Sequence, residues 1–185
     1  MRKFKAAFLA STLIFGGSAS AALAENPMVG GAAMYADKNI VENAVNSKDH
    51  TTLVAAALTA GLVETLQGPG PFTVFAPTNA AFEALPAGTV ETLLKPENKE
   101  QLTKILTCHV VAAKAMAADI QKMVMDDAGA HPVETVGGCT FTAKADGDKI
   151  MIEDGNGNMA TVTIANVEQS NGVIHVIDKV LLPKM

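Results

Sequence analysis

Tryptophan is absent from these 185 residues, and Tyr35 is the only tyrosine. Flat stacking platforms for sugars or bases are therefore scarce. Positive charge is short as well, with 14 Lys and Arg against 19 Asp and Glu. An acidic chain is a poor partner for nucleic acid or anionic membranes, whose binding rests largely on Lys and Arg neutralising phosphates. There is no internal repeat, and no apolar run beyond the N-terminal region is long enough to anchor in a bilayer. Cysteine is limited to Cys108 and Cys139.

The N-terminus has the layout of a secretory signal peptide. Met1-Arg-Lys-Phe-Lys5 is basic, Ala6 to Phe15 is apolar, and Ala22-Leu23-Ala24 is an A-x-A cleavage site. Residues 1–24 are expected to be removed before Glu25. The alternative, a membrane anchor, suits the stretch less well, because it is short and rich in Ala, Gly and Ser for a core of ~30 Å. Loss of Arg2, Lys3 and Lys5 leaves 14 − 3 = 11 basic residues and a net charge of −8. The remaining 185 − 24 = 161 residues suit one domain with an ordinary core. In an exported chain, an even cysteine count favours a disulfide, here Cys108–Cys139 closing a 31-residue loop. The alternative is two buried thiols acting as small hydrophobes.

Residues 25–36 carry Pro, Gly, Ala and Met with little periodicity and read as a flexible lead-in, with the folded domain expected over 37–185. Ile40, Val41, Ala44 and Val45 recur at helical spacing, and a second helix starts near Asp49, a candidate N-cap, and stops at Gly61. Gly68-Pro-Gly-Pro71 is a loop. Phe72-Thr-Val-Phe-Ala76 then reads as a strand ended by Pro77, with Thr78 or Asn79 capping a helix that turns Phe82 and Leu85 inward. Val90, Leu93 and Leu94 form a further apolar face. Leu102, Ile105 and Leu106 stripe the helix that follows Pro96. Cys108-His-Val-Val111 reads as a short buried strand, and Met116 to Met125 as an amphipathic helix with Met as core filler. From Pro132 the period becomes two, giving strands over 133–136, 140–145, 149–153, 160–164 and 173–182, separated by Gly- and Asn-rich turns. Helices followed by strands imply an α+β fold.

Reactive constellations are hard to find. Asp154-Gly-Asn-Gly-Asn158 begins like a calcium loop, but its sixth and twelfth positions are Met159 and Ala165, where the EF-hand needs Gly and Glu. It reads as a tight turn. His50, His109, His131 and His175 show no zinc-ligand spacing. His109, His175 and Asp178 lie in apolar runs and must find hydrogen-bond partners there. The Phe72–Phe82 corner lacks both the nucleophile elbow and the phosphate loop. No catalytic, cofactor-binding or metal-binding residues are assigned.

Three segments, FTVFAPTNAAF (72–82), Cys108-His109-Val110-Val111 and NGVIHVIDKVLLP (171–183), together resemble the fasciclin (FAS1) domain family, in its small, single-domain, secreted bacterial form. The similarity runs from about Asp37 to Pro183. The resemblance implies a wedge-shaped two-sheet β-sandwich with several helices packed on one side. Phe75, Pro77, Thr78, Asn79, Phe82, His175 and Asp178 would be its fold-defining motif residues. It also implies a non-catalytic adhesion module without cofactor, binding protein or glycan partners at the cell surface or matrix. The segment Cys108–Val111 would be an interaction or structural motif. The family usually has Tyr at the position of Cys108, beside the His, and in some animal members that pair is implicated in integrin binding. This chain has neither the Tyr nor an RGD, which suits a structural role for Cys108 and His109. The competing reading is an exported small-ligand-binding protein or a hydrolase, with a pocket near His109, Asp178 and the Phe72–Phe82 corner.

Overall fold

The computed structural model describes residues 26–184; the expected signal peptide lies outside them. Seven helices, α1 (Ile40–Ala44), α2 (Thr51–Ala60), α3 (Val63–Gln67), α4 (Asn79–Glu83), α5 (Thr89–Leu93), α6 (Lys99–Cys108) and α7 (Ala117–Asp126), pack alongside a seven-stranded mixed sheet. A small hairpin, β1 (Met28–Val29) and β2 (Ala32–Ala33), precedes them. The sheet comprises β3 (Phe72–Pro77), β4 (Val110–Val111), β5 (Ala130–Glu134), β6 (Thr140–Asp146), β7 (Lys149–Glu153), β8 (Met159–Gln169) and β9 (Gly172–Ile177), in the order β4-β3-β9-β8-β7-β6-β5.

All six residues of β9 are buried, because β9 lies between parallel β3 and antiparallel β8 and is covered on both faces. Strand alternation divides its side chains between two cores. Phe75 and Ile177 join Phe141, Ile152 and Leu181 on one face, under α7, while Val74, Ala76, Ile174 and Val176 join Val29 and Ile40 on the other. Each such large side chain contributes roughly 1.5–3 kcal/mol on burial. A third cluster, with Phe82, Leu102, Ile105 and Leu106 at its centre, holds the helices together.

The two expected sheets are halves of one. β8 is eleven residues long, pairing with β7 through Met159–Thr161 and with β9 through Val162–Gln169. Register shifts at Val162/Ile164 and Ile164/Val167, with Asn166 at φ +58°, bend it between the halves. The outer strands then approach each other in a barrel-like closure. Val136 N–H donates to the Val110 carbonyl at 2.8 Å and Gly137 N–H to the Thr107 carbonyl at 3.1 Å. The Cys108–Cys139 disulfide, with Cα atoms 5.4 Å apart, locks the same seam. Glycine is needed there, since a Cβ on Gly137 would lie 2.8 Å from both the amide and the sulfur of Cys108.

Several expectations change. The described part of the lead-in is not a loose tail: Gly30 and Gly31, at φ +59° and +77°, turn it into a hairpin, and Val29 and Met34 are buried. Asp49 does not cap α2, because it lies within a 3-10 turn, Lys48–His50, that precedes the helix. Cys108 ends a helix instead of starting a strand, and His109 is its C-cap, so only Val110 and Val111 are extended. The last strand stops at Ile177, which leaves Asp178 exposed.

Candidate functional site

The three motif segments meet at the centre of the molecule. Register pairs Phe75 with His175 and Pro77 with Ile177, and the Phe75 and His175 rings stack with centroids 5.8 Å apart. His175 is fully buried. Its Nε2 bonds the Ala115 carbonyl at 2.8 Å, and its Nδ1 accepts the Asn166 amide at 3.3 Å, which fixes the bulge of β8. Burial lowers its pKa, opposed in part by the Ala115 carbonyl.

His109 links the middle segment to the last one. Its Nδ1–H donates to the Ile105 carbonyl at 2.8 Å, satisfying a carbonyl in the last turn of α6, and its Nε2 accepts the Leu181 amide at 2.9 Å. Burial pushes its pKa down to about 4, with the Ile105 carbonyl opposing, so the ring is neutral at pH 7. Cys108, His109 and Val110 are buried, and only Val111 of that segment is half-buried. Three of its four side chains therefore present no surface to a partner.

At the corner, Pro77 and Phe82 are buried, and Thr78 is the N-cap of α4, its Oγ1 accepting the Ala81 amide at 3.3 Å. Asn79 serves a different helix. Its Oδ1 accepts the Thr52 amide at 3.0 Å and its Nδ2 donates to the Lys48 carbonyl at 2.8 Å, so it caps α2 from 27 residues away. Asp178 accepts the Thr161 amide at 2.7 Å, a backbone partner that ties β9 to β8. The 154–158 turn spends its carboxylate internally, as Asp154 accepts the amides of Asn156, Asn158 and Leu182. Among the described residues, no group of three or more His, Cys, Asp or Glu is placed to hold a metal.

One pairing escapes sequence inspection. Ser47 Oγ and His50 Nδ1 are 2.8 Å apart, and both residues are buried. A serine beside a histidine suggests nucleophile and base, but the supporting geometry is missing. Ser47 is packed so closely on Gly30 that a Cβ there would collide with its hydroxyl. Asp49 raises the His50 pKa only as the smallest contribution, behind burial, which lowers it, and the Ala76 backbone, and no carboxylate bonds the ring. His50 and His109 both line an apolar cavity of ≈ 60 Å³ between α1, α2, α3 and the sheet. The structure thus joins His109 to the corner through Val74 and Ala76 of that cavity wall but leaves Asp178 outside it.

Residues 48–183 match the family model of the fasciclin domain. A relative from Synechocystis, Protein sll1483, is 47% identical, the alignment covering 97% of this chain and 96% of that protein. Cell surface glycolipoprotein MPB83 of Mycobacterium bovis is 33% identical over 86% of this chain and 68% of its own length. Immunogenic protein MPB70 of the same species is 37% identical over 76% of this chain and 66% of its own length. A solved FAS1 domain pair from the insect cell adhesion molecule Fasciclin I superposes with a TM-score of 0.70 at 18% identity, covering 78% of this chain and 51% of that one. The chain belongs to the fasciclin domain family, and its α+β fold is the FAS1 fold. Among the described residues, no helix is long and apolar enough to cross a membrane.

Proposed function

We propose that this protein is an exported, non-catalytic binding module that holds protein or glycan partners at the cell surface or in the surrounding matrix. The observation that carries this reading is where the polar motif side chains go. His109, His175, Thr78 and Asn79 all bond backbone groups of neighbouring elements, and the two histidines are buried and held neutral. The motifs hold the fold together and leave recognition to the helices and loops outside it. Its relative MPB83 is named as a cell-surface glycolipoprotein, and the similar insect domains come from a cell adhesion molecule.

Surface-immobilised chain lacking residues 1–24 is passed over purified matrix proteins and a glycan array. Saturable binding that is lost after reduction and unfolding is the expected result. Absence of saturable binding across both panels, or turnover of an ester or glycoside that Ser47→Ala abolishes, would count against it.

A further inference from the structure

Asparagine precedes glycine twice in the chain, at Asn156-Gly157 and Asn171-Gly172, and both asparagines lie between strands. The pairing carries latent chemistry. The glycine amide nitrogen can reach the asparagine side-chain carbonyl carbon in a five-membered ring, and glycine has no Cβ to obstruct the approach. Ring closure requires the side chain and the following amide to turn freely towards each other. The fold treats the two pairs oppositely.

Asn171 is locked. Its Oδ1 accepts the Ile40 amide at 3.1 Å, and its Nδ2 donates to the carbonyls of Leu66 at 2.8 Å and Gly68 at 3.0 Å. Gly172 is buried in β9, where a Cβ would overlap the Phe72 carbonyl. The start of α1 and the end of α3 would have to part from the sheet before this ring could close. Asn156 is held far less, and it is exposed together with Gly157 and Asn158. Its Nδ2 donates to the Pro183 carbonyl at 3.3 Å, and the Gly157 amide donates to the Asp154 carbonyl at 3.1 Å. Breaking those two bonds disturbs only the turn and the C-terminal segment, a local opening that leaves the sheet and its cores intact.

We propose that Asn156 is a modification site, converted spontaneously in the folded protein to aspartate and isoaspartate, and that the conversion releases the C-terminal segment. The Gly157 nitrogen forms a bond to Asn156 Cγ and gives up its proton, the Cγ–Nδ2 bond breaks, and ammonia leaves. Water then opens the cyclic imide at either carbonyl. The same turn is the clasp of the segment after β9. The Gly155 amide donates to the Leu182 carbonyl at 3.2 Å, and the Leu182 amide donates to the Asp154 carboxylate at 3.2 Å. A Cβ on Gly155 would overlap the Lys184 amide. Either product loses the Nδ2 donor and sets a carboxylate against the Pro183 carbonyl, in the same turn as the buried Asp154 carboxylate that repels it. Isoaspartate also inserts a methylene into the main chain, which draws Gly157 and Asn158 out of register with Asp154.

The test ages the chain lacking residues 1–24 in warm, mildly alkaline buffer, folded and in parallel unfolded in urea. Peptide mass spectrometry after acid digestion then follows the gain of about 1 Da that marks each conversion. In the folded protein Asn156 should convert at least about tenfold faster than Asn171, and in urea the two rates should come together. Hydrogen exchange at the Leu182 and Gly155 amides should rise severalfold in the aged protein and, without ageing, in Asn156→Asp. Asn156→Gln, aged in the same way, should keep its slow exchange. Asn156 converting no faster than Asn171 in the folded protein overturns the proposal. So does a gap that persists in urea, because the neighbouring sequence and not the fold would then set the order. Unchanged exchange at Leu182 after full conversion, or equal loosening in aged Asn156→Gln, overturns the release of the segment.

Discussion

Replacing His109 tests whether the central motif is a structural tie, and two variants separate its contributions. His109→Leu keeps most of the volume but removes both hydrogen bonds, stranding the Leu181 amide in the core. That loss should cost about 1–3 kcal/mol. His109→Ala also leaves a hole at a buried site and should cost about 3–5 kcal/mol. For a chain of this size, each kcal/mol shifts Tm by roughly 2–4 °C, so the alanine variant should melt about 10 °C lower. The pH dependence gives an independent reading. His109 is held to a pKa of about 4 in the folded protein, against 6.5 ordinarily. Between those values the unfolded chain takes up the proton and the folded chain does not, so stability rises with pH through that window. The contribution is complete above pH 6.5, falls away as pH drops towards 4 and is level below it. Its size is about 3 kcal/mol, at about 1.4 kcal/mol per pKa unit. His50 and His175 are shifted in the same direction but remain in both proteins, so they cancel in the difference. Urea denaturation of wild type and His109→Leu from pH 4 to 7.5 should show their stabilities converging as the solution is acidified. An unchanged melting temperature in His109→Ala, or a difference that stays flat across that range, would refute the assignment.

Two further predictions concern the ties between elements. Replacing Cys108 and Cys139 together by serine should lower stability by about 3–4 kcal/mol, the chain-entropy value for a 31-residue loop, and thiol titration of the unfolded wild type should find free thiol only after reduction. Asn79→Ala should cost about 1–2 kcal/mol through loss of the cap on α2, and hydrogen exchange should rise at Thr52 in the first turn of that helix instead of in α4.

Local chemistry was readable from the residues. Gly61 takes the left-handed conformation that ends α2, Thr78 caps α4, and β7 spans Lys149–Glu153 as its alternation implies. What escaped depends on contacts distant in sequence. Asn79 looks like a cap for its own helix, and nothing near it in the chain reveals that Thr52 and Lys48 are its partners. β8 reads as five residues because its bulges interrupt the alternation on which a strand is recognised. Cys108-His-Val-Val looks extended because its residues suit strands, yet the helix stripe of Leu102, Ile105 and Leu106 carries the chain helically through Cys108. The Ser47–His50 pair has helical spacing but no apolar or charged pattern to single it out.

The seam between β4 and the residues after β5 has a bearing on how such a molecule meets others. Unpaired rims are where one β-protein recruits another, strand to strand, into fibres. Here the rims are turned towards each other at one seam, fastened by backbone hydrogen bonds and by sulfur. At that seam the amides of Val136 and Gly137 are already spent, so a neighbouring chain cannot extend the sheet through them.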